Sequence, residues 1–281
     1  MDRDGGHLGL ARCGGGGALS ESGWGKADLH VHTCLSDGMA APQEVLDYVQ
    51  EHTDLDVIAV TDHDSLEGAW AVREAWARGR YRFQVVVGME VTAIEGHILA
   101  LFVEAPLPSL RPAAEVVEAI HRQGGLAIIA HPLSLVTRSL NRRDIERLMT
   151  LPGPLAHADG MEVANGFARS LPLMAGRHRT VQELCRRFGL ARVGGSDAHF
   201  RQAIGSAYTL FPGRSAEDLR RAILARTTEA ASGRHPRPWE LGLWPLLVQQ
   251  WRGLTVTPRT LGLGPTAWSF VQRIFPFLRP S

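Results

Sequence analysis

Six of the chain's twelve histidines lie in five short motifs that also contain carboxylates, glycine or proline. Imidazole and carboxylate are the side chains that hold Zn, Mn or Fe in proteins, and a catalytic centre must bring several of them to one point. This pattern predicts a hydrolase with several metal ions. The motifs are Asp28–His32 with Asp37 close behind, residues 61–64, Gly88–Glu90 followed by Gly96-His97, residues 130–132, and residues 195–199.

The first motif places two imidazoles on one side of a predicted strand. His30 and His32 are two residues apart, so both side chains face the same side and can bind one metal ion. Asp28 faces that side as well, and we expect it to orient one of the two rings from outside the metal's own ligands. Asp37 follows in a loop, where Gly38 gives the chain freedom to turn back over the site.

The second and third motifs place carboxylates at the ends of apolar runs. Asp62 and Asp64 flank His63, and we expect them to raise the basicity of its ring or to fix its tautomer. Glu90 follows an entirely apolar run, and a buried carboxylate there would be costly unless it were paired with cations. Glu90 is therefore predicted to bridge two metal ions.

The remaining motifs supply His97, His131, Asp197 and His199. His131 ends a fully apolar strand candidate, which favours a ligand. A lone histidine such as His97 is in general more often structural, but beside the other motifs we favour a ligand here too. The predicted catalytic residues are Asp28, Asp62, Glu90 and His199.

These motifs resemble those of a known family. The stretch Asp-x-His-x-His-Thr-x-x-Ser-Asp-Gly at 28–38 is similar to the first motif of the polymerase and histidinol phosphatase (PHP) superfamily. The later motifs resemble the later ones of that family in the same order, over about residues 27–230. The resemblance implies a distorted (β/α)7 barrel and a metal-dependent phosphoesterase.

The resemblance also implies a ligand set with two to three divalent ions. It places a first ion on His30, His32, Glu90 and Asp197, and it has Glu90 bridge to a second ion on His63 and His97. A third ion would lie on Asp37, His131 and His199; some family members have histidine in place of this aspartate. The set contains no sulfur, which suits Mn, Zn or Fe without choosing among them.

Alternating elements would position these motifs. Apolar runs predict strands at 29–31, 57–61, 83–87, 98–103, 126–130, 160–164 and 190–194. Amphipathic segments predict helices at 42–52, 66–78, 112–123, 142–149, 175–188 and 216–225. Repeated strand–helix units indicate a parallel sheet covered by helices, with its site at the carboxyl ends of the strands.

Composition limits the partners. The net charge of +1 argues against a protein that coats extended duplex nucleic acid, but it leaves room for a nucleotide or a short oligonucleotide end. The three cysteines form no C-x-x-C pair, which disfavours a disulfide framework or a thiolate zinc site. Cys34 is interpreted as a small buried residue. We find no signal peptide, and a cytoplasmic location fits these observations.

The two ends differ in composition from residues 26–230, the predicted metallophosphoesterase domain. Residues 1–25 are rich in glycine and are predicted to be a disordered leader. Residues 231–281 are rich in Trp and Arg. We favour a tail whose tryptophans pack on the barrel or form a dimer contact; the alternative is an anchor at a membrane surface.

Three functions compete. The first is a phosphoesterase for a nucleotide or a short oligonucleotide end, in which closely spaced metal ions activate a bridging water for attack on phosphorus. The second is a phosphatase for a small metabolite such as histidinol phosphate. The third is a metal-binding or partner-binding module without turnover, which the complete ligand set disfavours. The arginines that could clamp a phosphate are Arg138, Arg142, Arg169 and Arg201.

Overall fold

A computed structural model of the chain describes residues 23–153, 156–166 and 176–256. All seven predicted strands are present, and two more follow them. The strands are β1 (Trp24–Val31), β2 (Val57–Val60), β3 (Gln84–Thr92), β4 (His97–Leu101), β5 (Leu126–Ile129), β6 (Gly160–Asn165), β7 (Ala191–Gly195), β8 (Ala207–Pro212) and β9 (Glu229–Ser232).

The six predicted helices are also present, and their ends differ from the prediction by three residues at most. They are α1 (Pro42–His52), α2 (Glu67–Arg78), α3 (Ala113–Arg122), α4 (Arg142–Leu148), α5 (His178–Arg187) and α6 (Ala216–Ala225). Two helices in the tail follow, α7 (Pro238–Leu241) and α8 (Leu243–Thr255).

The strands form one sheet in the order β7-β6-β5-β4-β3-β2-β1-β8-β9. β1, β2 and β3 pair in parallel, as do β5, β6 and β7. A bridge between Val31 and Ala198 joins the end of β1 to the segment after β7, so the sheet curls into a nearly closed barrel. The predicted α/β barrel is therefore confirmed.

The strand–helix repeat had led us to expect a parallel sheet, but part of the sheet is antiparallel. β4 runs antiparallel to β3, because only the short segment 93–96 separates the two strands and a parallel connection needs a crossover of a dozen residues or more. β4 also runs antiparallel to β5, although the longer connection through α3 joins them. β8 and β9 were not among the predicted strands. β8 pairs antiparallel with β1, and β9 with β8.

The apolar strands are buried on both faces. In β2, Ile58 and Val60 belong to the cluster beneath the helices, whereas Val57 and Ala59 belong to a second cluster with Leu29 inside the barrel. This double burial explains why the strands read as continuous apolar runs. Polar side chains replace apolar ones where the strands end.

The ends of the chain depart from expectation. Most of the predicted leader lies outside the described residues, but β1 already begins at Trp24. In the tail, Trp239 is 72% and Trp244 74% exposed, so these two tryptophans do not pack on the barrel as expected. A dimer contact and a membrane-surface anchor stay predictions. Trp268 lies outside the described residues. Within the described ranges, none of the helices has the length and hydropathy required to cross a bilayer.

Candidate metal centre

The histidine motifs meet at the carboxyl ends of the barrel strands. His30 and His32 are buried, at 0% and 1% exposure, at the end of β1. The backbone around Ala198 accepts a hydrogen bond from His32 N (3.0 Å) and donates one to His30 O (3.1 Å). These bonds place Asp197 beside both imidazoles, even though it lies far away in sequence.

Glu90, at 1% exposure, lies at the middle of the cluster and offers its two oxygens to different partners. Oε1 lies 2.9 Å from His97 Nδ1 and 2.8 Å from His131 Nε2. Oε2 lies 3.1 Å from His30 Nε2 and 3.4 Å from His32 Nε2. One carboxylate therefore joins two groups of imidazoles, as its predicted bridging role requires.

Asp197 and Asp37 are the other two carboxylates that lie among the imidazoles. Asp197 Oδ1 lies 3.6 Å from His30 Nε2 and 3.4 Å from His32 Nε2. Asp37 Oδ2 lies 3.1 Å from His199 Nε2 and 3.7 Å from His63 Nε2. All nine predicted ligand residues thus come together in one centre.

The grouping of one histidine differs from the one that the family resemblance implied. His63 Nδ1 lies 3.3 Å from Glu90 Oε2 in a group with His97, as expected, and its Nε2 also lies 3.7 Å from Asp37 Oδ2. His131 lies with Glu90 and His30 instead of with Asp37 and His199. β5 adjoins β4, so His131 lies near Glu90 and His97 rather than near the loop that follows β1.

The imidazole nitrogens test whether cations fit this centre. Both nitrogens of His32, and Nδ1 of His63 and of His97, are buried without a hydrogen-bond partner among the described residues. Carboxylate oxygens lie close to them, but not in hydrogen-bond geometry. A buried polar atom without a partner is costly, and a cation bound between the imidazole nitrogens and the carboxylate oxygens removes that cost. Four groups of these residues have ligand atoms within 4.8 Å of one another, so divalent ions fit.

The carboxylates of the centre are ionised. Burial on its own would raise the pKa of Glu90 and of Asp197. The surrounding histidines outweigh burial and hold both pKa values well below the ordinary values. The centre therefore offers negative charge to a cation.

Asp28 and Asp62 do not have their predicted contacts. We expected them to orient imidazoles, but Asp28 accepts hydrogen bonds from Ser196 N (2.9 Å) and Gly205 N (2.8 Å). Asp62 accepts from Thr33 N (2.7 Å) and from a serine hydroxyl in the same loop. Burial raises the pKa of both carboxyls to about 6. They hold the loops that carry the ligands rather than the rings themselves.

Glu162 has the role that we had expected of Asp28. Its Oε1 lies 2.9 Å from His30 Nδ1, and its Oε2 accepts from His131 N at 2.7 Å and from Asn165 Nδ2 at 3.0 Å. Nδ1 of His30 must therefore carry the proton, which leaves the Nε2 lone pair for a metal. A carboxylate within an apolar strand was the available signal, and it is the same signal that identified Glu90.

The described arginines among the candidate phosphate clamps have other partners. Arg138 donates to Ile94 O at 2.7 Å. Arg142 pairs with a glutamate of its own helix, and Arg201 pairs with Glu44 at 3.3 Å. The remaining candidate, Arg169, lies outside the described residues. Cys34 is half-buried and belongs to none of the ligand groups.

Comparisons with known proteins agree with this geometry. A family model described as PHP-associated matches residues 176–228. An uncharacterised protein of Methanocaldococcus jannaschii is 32% identical over 155 residues, which is 51% of this chain and 84% of that protein. The 5′-3′ exoribonuclease Rnm of Salmonella typhimurium is 28% identical over 184 residues, which is 63% of this chain and 58% of Rnm.

A solved structure shares the fold. It is a two-domain protein of Bacteroides vulgatus that contains a predicted PHP-like metal-dependent phosphoesterase. The TM-score is 0.58 at 22% sequence identity, and the match covers 75% of this chain and 65% of that one.

Proposed function

The chain belongs to the PHP superfamily and is a metal-dependent hydrolase of phosphoester bonds, and we propose that its substrate is a nucleotide or a short oligonucleotide end. The observation that carries the metal-dependent mechanism is the position of Glu90, whose two oxygens face two separate groups of imidazoles. A third group around Asp37 adjoins them. We propose that two to three divalent ions, Mn, Zn or Fe, bind there.

The candidate ligands fall into three sets, one for each proposed ion. His30, His32, Glu90 and Asp197 would hold one ion, and Glu90 would share a second with His97 and His131. Asp37, His63 and His199 would hold a third. Bound divalent ions polarise phosphoryl oxygens and lower the pKa of water. Glu162 fixes the tautomer of His30 so that its Nε2 can bind.

The centre has a more open edge at which a phosphate can enter. The side chain of His199 is 18% exposed, and those of His63 and His97 are 10% exposed, whereas His30 and His32 have none of their side chains exposed. Because the described candidate arginines have other partners, we infer that the metal centre itself supplies the main contact with phosphate. Such a local contact suits a chain end or a mononucleotide better than an extended duplex.

The similarity to an exoribonuclease favours a nucleotide-containing substrate over histidinol phosphate. The test uses the full-length protein loaded separately with Mn²⁺, Zn²⁺ or Fe²⁺ and a panel of four substrates: a nucleoside 5′-monophosphate, 5′-phosphorylated RNA and DNA oligonucleotides, and histidinol phosphate. Free phosphate and released mononucleotides are both measured, with Glu90→Gln as the control for contaminating activity.

We expect mononucleotides from the oligonucleotides or phosphate from the nucleotide, together with two to three ions per chain by elemental analysis. Release of phosphate from histidinol phosphate alone would replace the proposed substrate with a small metabolite. Fewer than one ion per chain after loading, with no substrate turned over, would contradict the metal-dependent mechanism altogether.

A further inference from the structure

The C-terminal helix α8 reaches the metal centre through one side chain. Arg252 donates from Nη2 to Cys34 O (2.5 Å) and to Ser36 O (2.8 Å), and from Nε to Gly38 O (3.1 Å). These carbonyls lie on both sides of Asp37 in the sequence. The guanidinium therefore binds the loop that carries this ligand, 214 residues away from Gly38 along the chain.

The helix also passes close to the carboxylate. A Cβ added at Gly253 would lie 3.5 Å from Asp37 Oδ2, which is ordinary van der Waals contact. No carboxylate within the described ranges forms a salt bridge with Arg252. Its interactions are directed at the loop carbonyls, and a planar guanidinium can satisfy several of these in one fixed arrangement.

Asp37 depends on its loop more than Glu90 and His30 depend on the connections beside them. Glu90 lies within β3, and His30 lies within β1, where ladder hydrogen bonds fix the backbone. Asp37 lies in the connection between β1 and α1. The part of this connection that precedes Asp37 donates hydrogen bonds from Thr33 N and Ser36 Oγ to Asp62. Arg252 adds the contacts that continue past Asp37 as far as Gly38.

We propose that Arg252 is a positioning residue for the metal site formed by Asp37, His63 and His199, so that the C-terminal helix forms part of the active centre. The inference rests on the proposed metal-dependent function. Without the guanidinium, the three carbonyls lose their shared donor, and the loop keeps only contacts such as Met39 N to His199 O (2.8 Å), so Asp37 is held less firmly. The site around Glu90, His97 and His131 has no such dependence.

The test is an equilibrium titration of the metal-free, full-length protein with Mn²⁺, followed by calorimetry. The variants are Arg252→Gln, Arg252→Lys, Asp37→Asn and the double variant Arg252→Gln/Asp37→Asn. The matched control is Arg237→Gln, which changes an exposed arginine of the same tail. Melting temperatures of the metal-free proteins show which variants remain folded.

Arg252→Gln should weaken one class of Mn²⁺ site by about 10–100-fold and leave the others unchanged, as is typical when a residue that orients a ligand is lost. Arg252→Lys should show an intermediate loss of Mn²⁺ affinity, because lysine keeps the charge but not the planar set of N–H donors. In the double variant the losses should not add, since both changes act on one site.

Unchanged Mn²⁺ binding in Arg252→Gln would overturn the inference, and so would equal weakening of every class or additive losses. Because the readout is metal binding, the result is independent of which phosphoester is hydrolysed. A failure of the proposed substrate would leave this conclusion standing, and the reverse also holds.

Discussion

Replacing Glu162 by Gln would remove one charge while keeping the shape of a buried side chain. In the structure both oxygens of Glu162 accept hydrogen bonds, Oε1 from His30 Nδ1 at 2.9 Å and Oε2 from His131 N at 2.7 Å. A glutamine has only one oxygen. Whichever way its amide is turned, its NH₂ group meets either the imidazole N–H or the backbone N–H, and two donors then face each other.

The size of the effect follows from these contacts. A buried donor that loses its acceptor costs about 1–3 kcal/mol. If the amide oxygen stays on His131 N, the cost falls on His30, whose ring can turn or change tautomer and withdraw Nε2 from the metal. We therefore expect Mn²⁺ affinity to fall by about 10–100-fold, the usual range for such partners of a ligand.

The assay is calorimetric titration of the metal-free variant with Mn²⁺, together with its thermal unfolding. The control is Glu229→Gln, since Glu229 is exposed and pairs with Arg192 on the surface. This control should bind Mn²⁺ as the unaltered protein does. If Glu162→Gln binds Mn²⁺ with unchanged affinity, Glu162 does not fix the tautomer of His30.

Three further predictions concern other parts of the molecule. Glu90→Gln should abolish activity and lower the number of bound ions, whereas Asp28→Asn should mainly lower the melting temperature, because Asp28 contacts backbone N–H groups; equal loss of bound ions in both would contradict this. Gly68→Ala should destabilise the fold although alanine favours helix by about 1 kcal/mol, since the added Cβ would lie 1.6 Å from Asp62 Oδ2; a higher melting temperature would refute the reasoning. Burial raises the pKa of Cys185 to about 11, so at pH 8 iodoacetamide should label it slowly in the native protein and rapidly in denaturant, as peptide mass spectrometry can show.

The sequence predicts most of the strands and the centre because strand ends combine two strong signals. β2 is a run of four buried apolar residues, and polar residues follow it at once. A run this short and rich in β-branched residues favours an interior strand, which places the polar residues after it at the edge of the barrel. Strand ends, together with the family resemblance, identified the nine candidate ligand residues without knowledge of any contact.

The sequence does not predict what depends on neighbours in space. The position of His131 beside Glu90 follows from the order of strands in the sheet, in which β5 adjoins β4. Glu162 was overlooked because its strand lacks a histidine motif. Arg252 was not predicted at all, since a lone arginine in a tail carries no signal until the loop it binds is known.

The antiparallel hairpin of β3 and β4 has a consequence for the order in which the centre is assembled. Glu90 and His97 meet across this hairpin, and His131 follows on the next strand, only 41 residues from Glu90. Asp37 and His199, in contrast, are 162 residues apart. Because contacts that are close in sequence form sooner than distant ones, the group around Glu90 can form while the chain is still being synthesised. The group around Asp37 must wait until β7 has closed the barrel, so the last part of the centre to appear is the part whose loop Arg252 then binds.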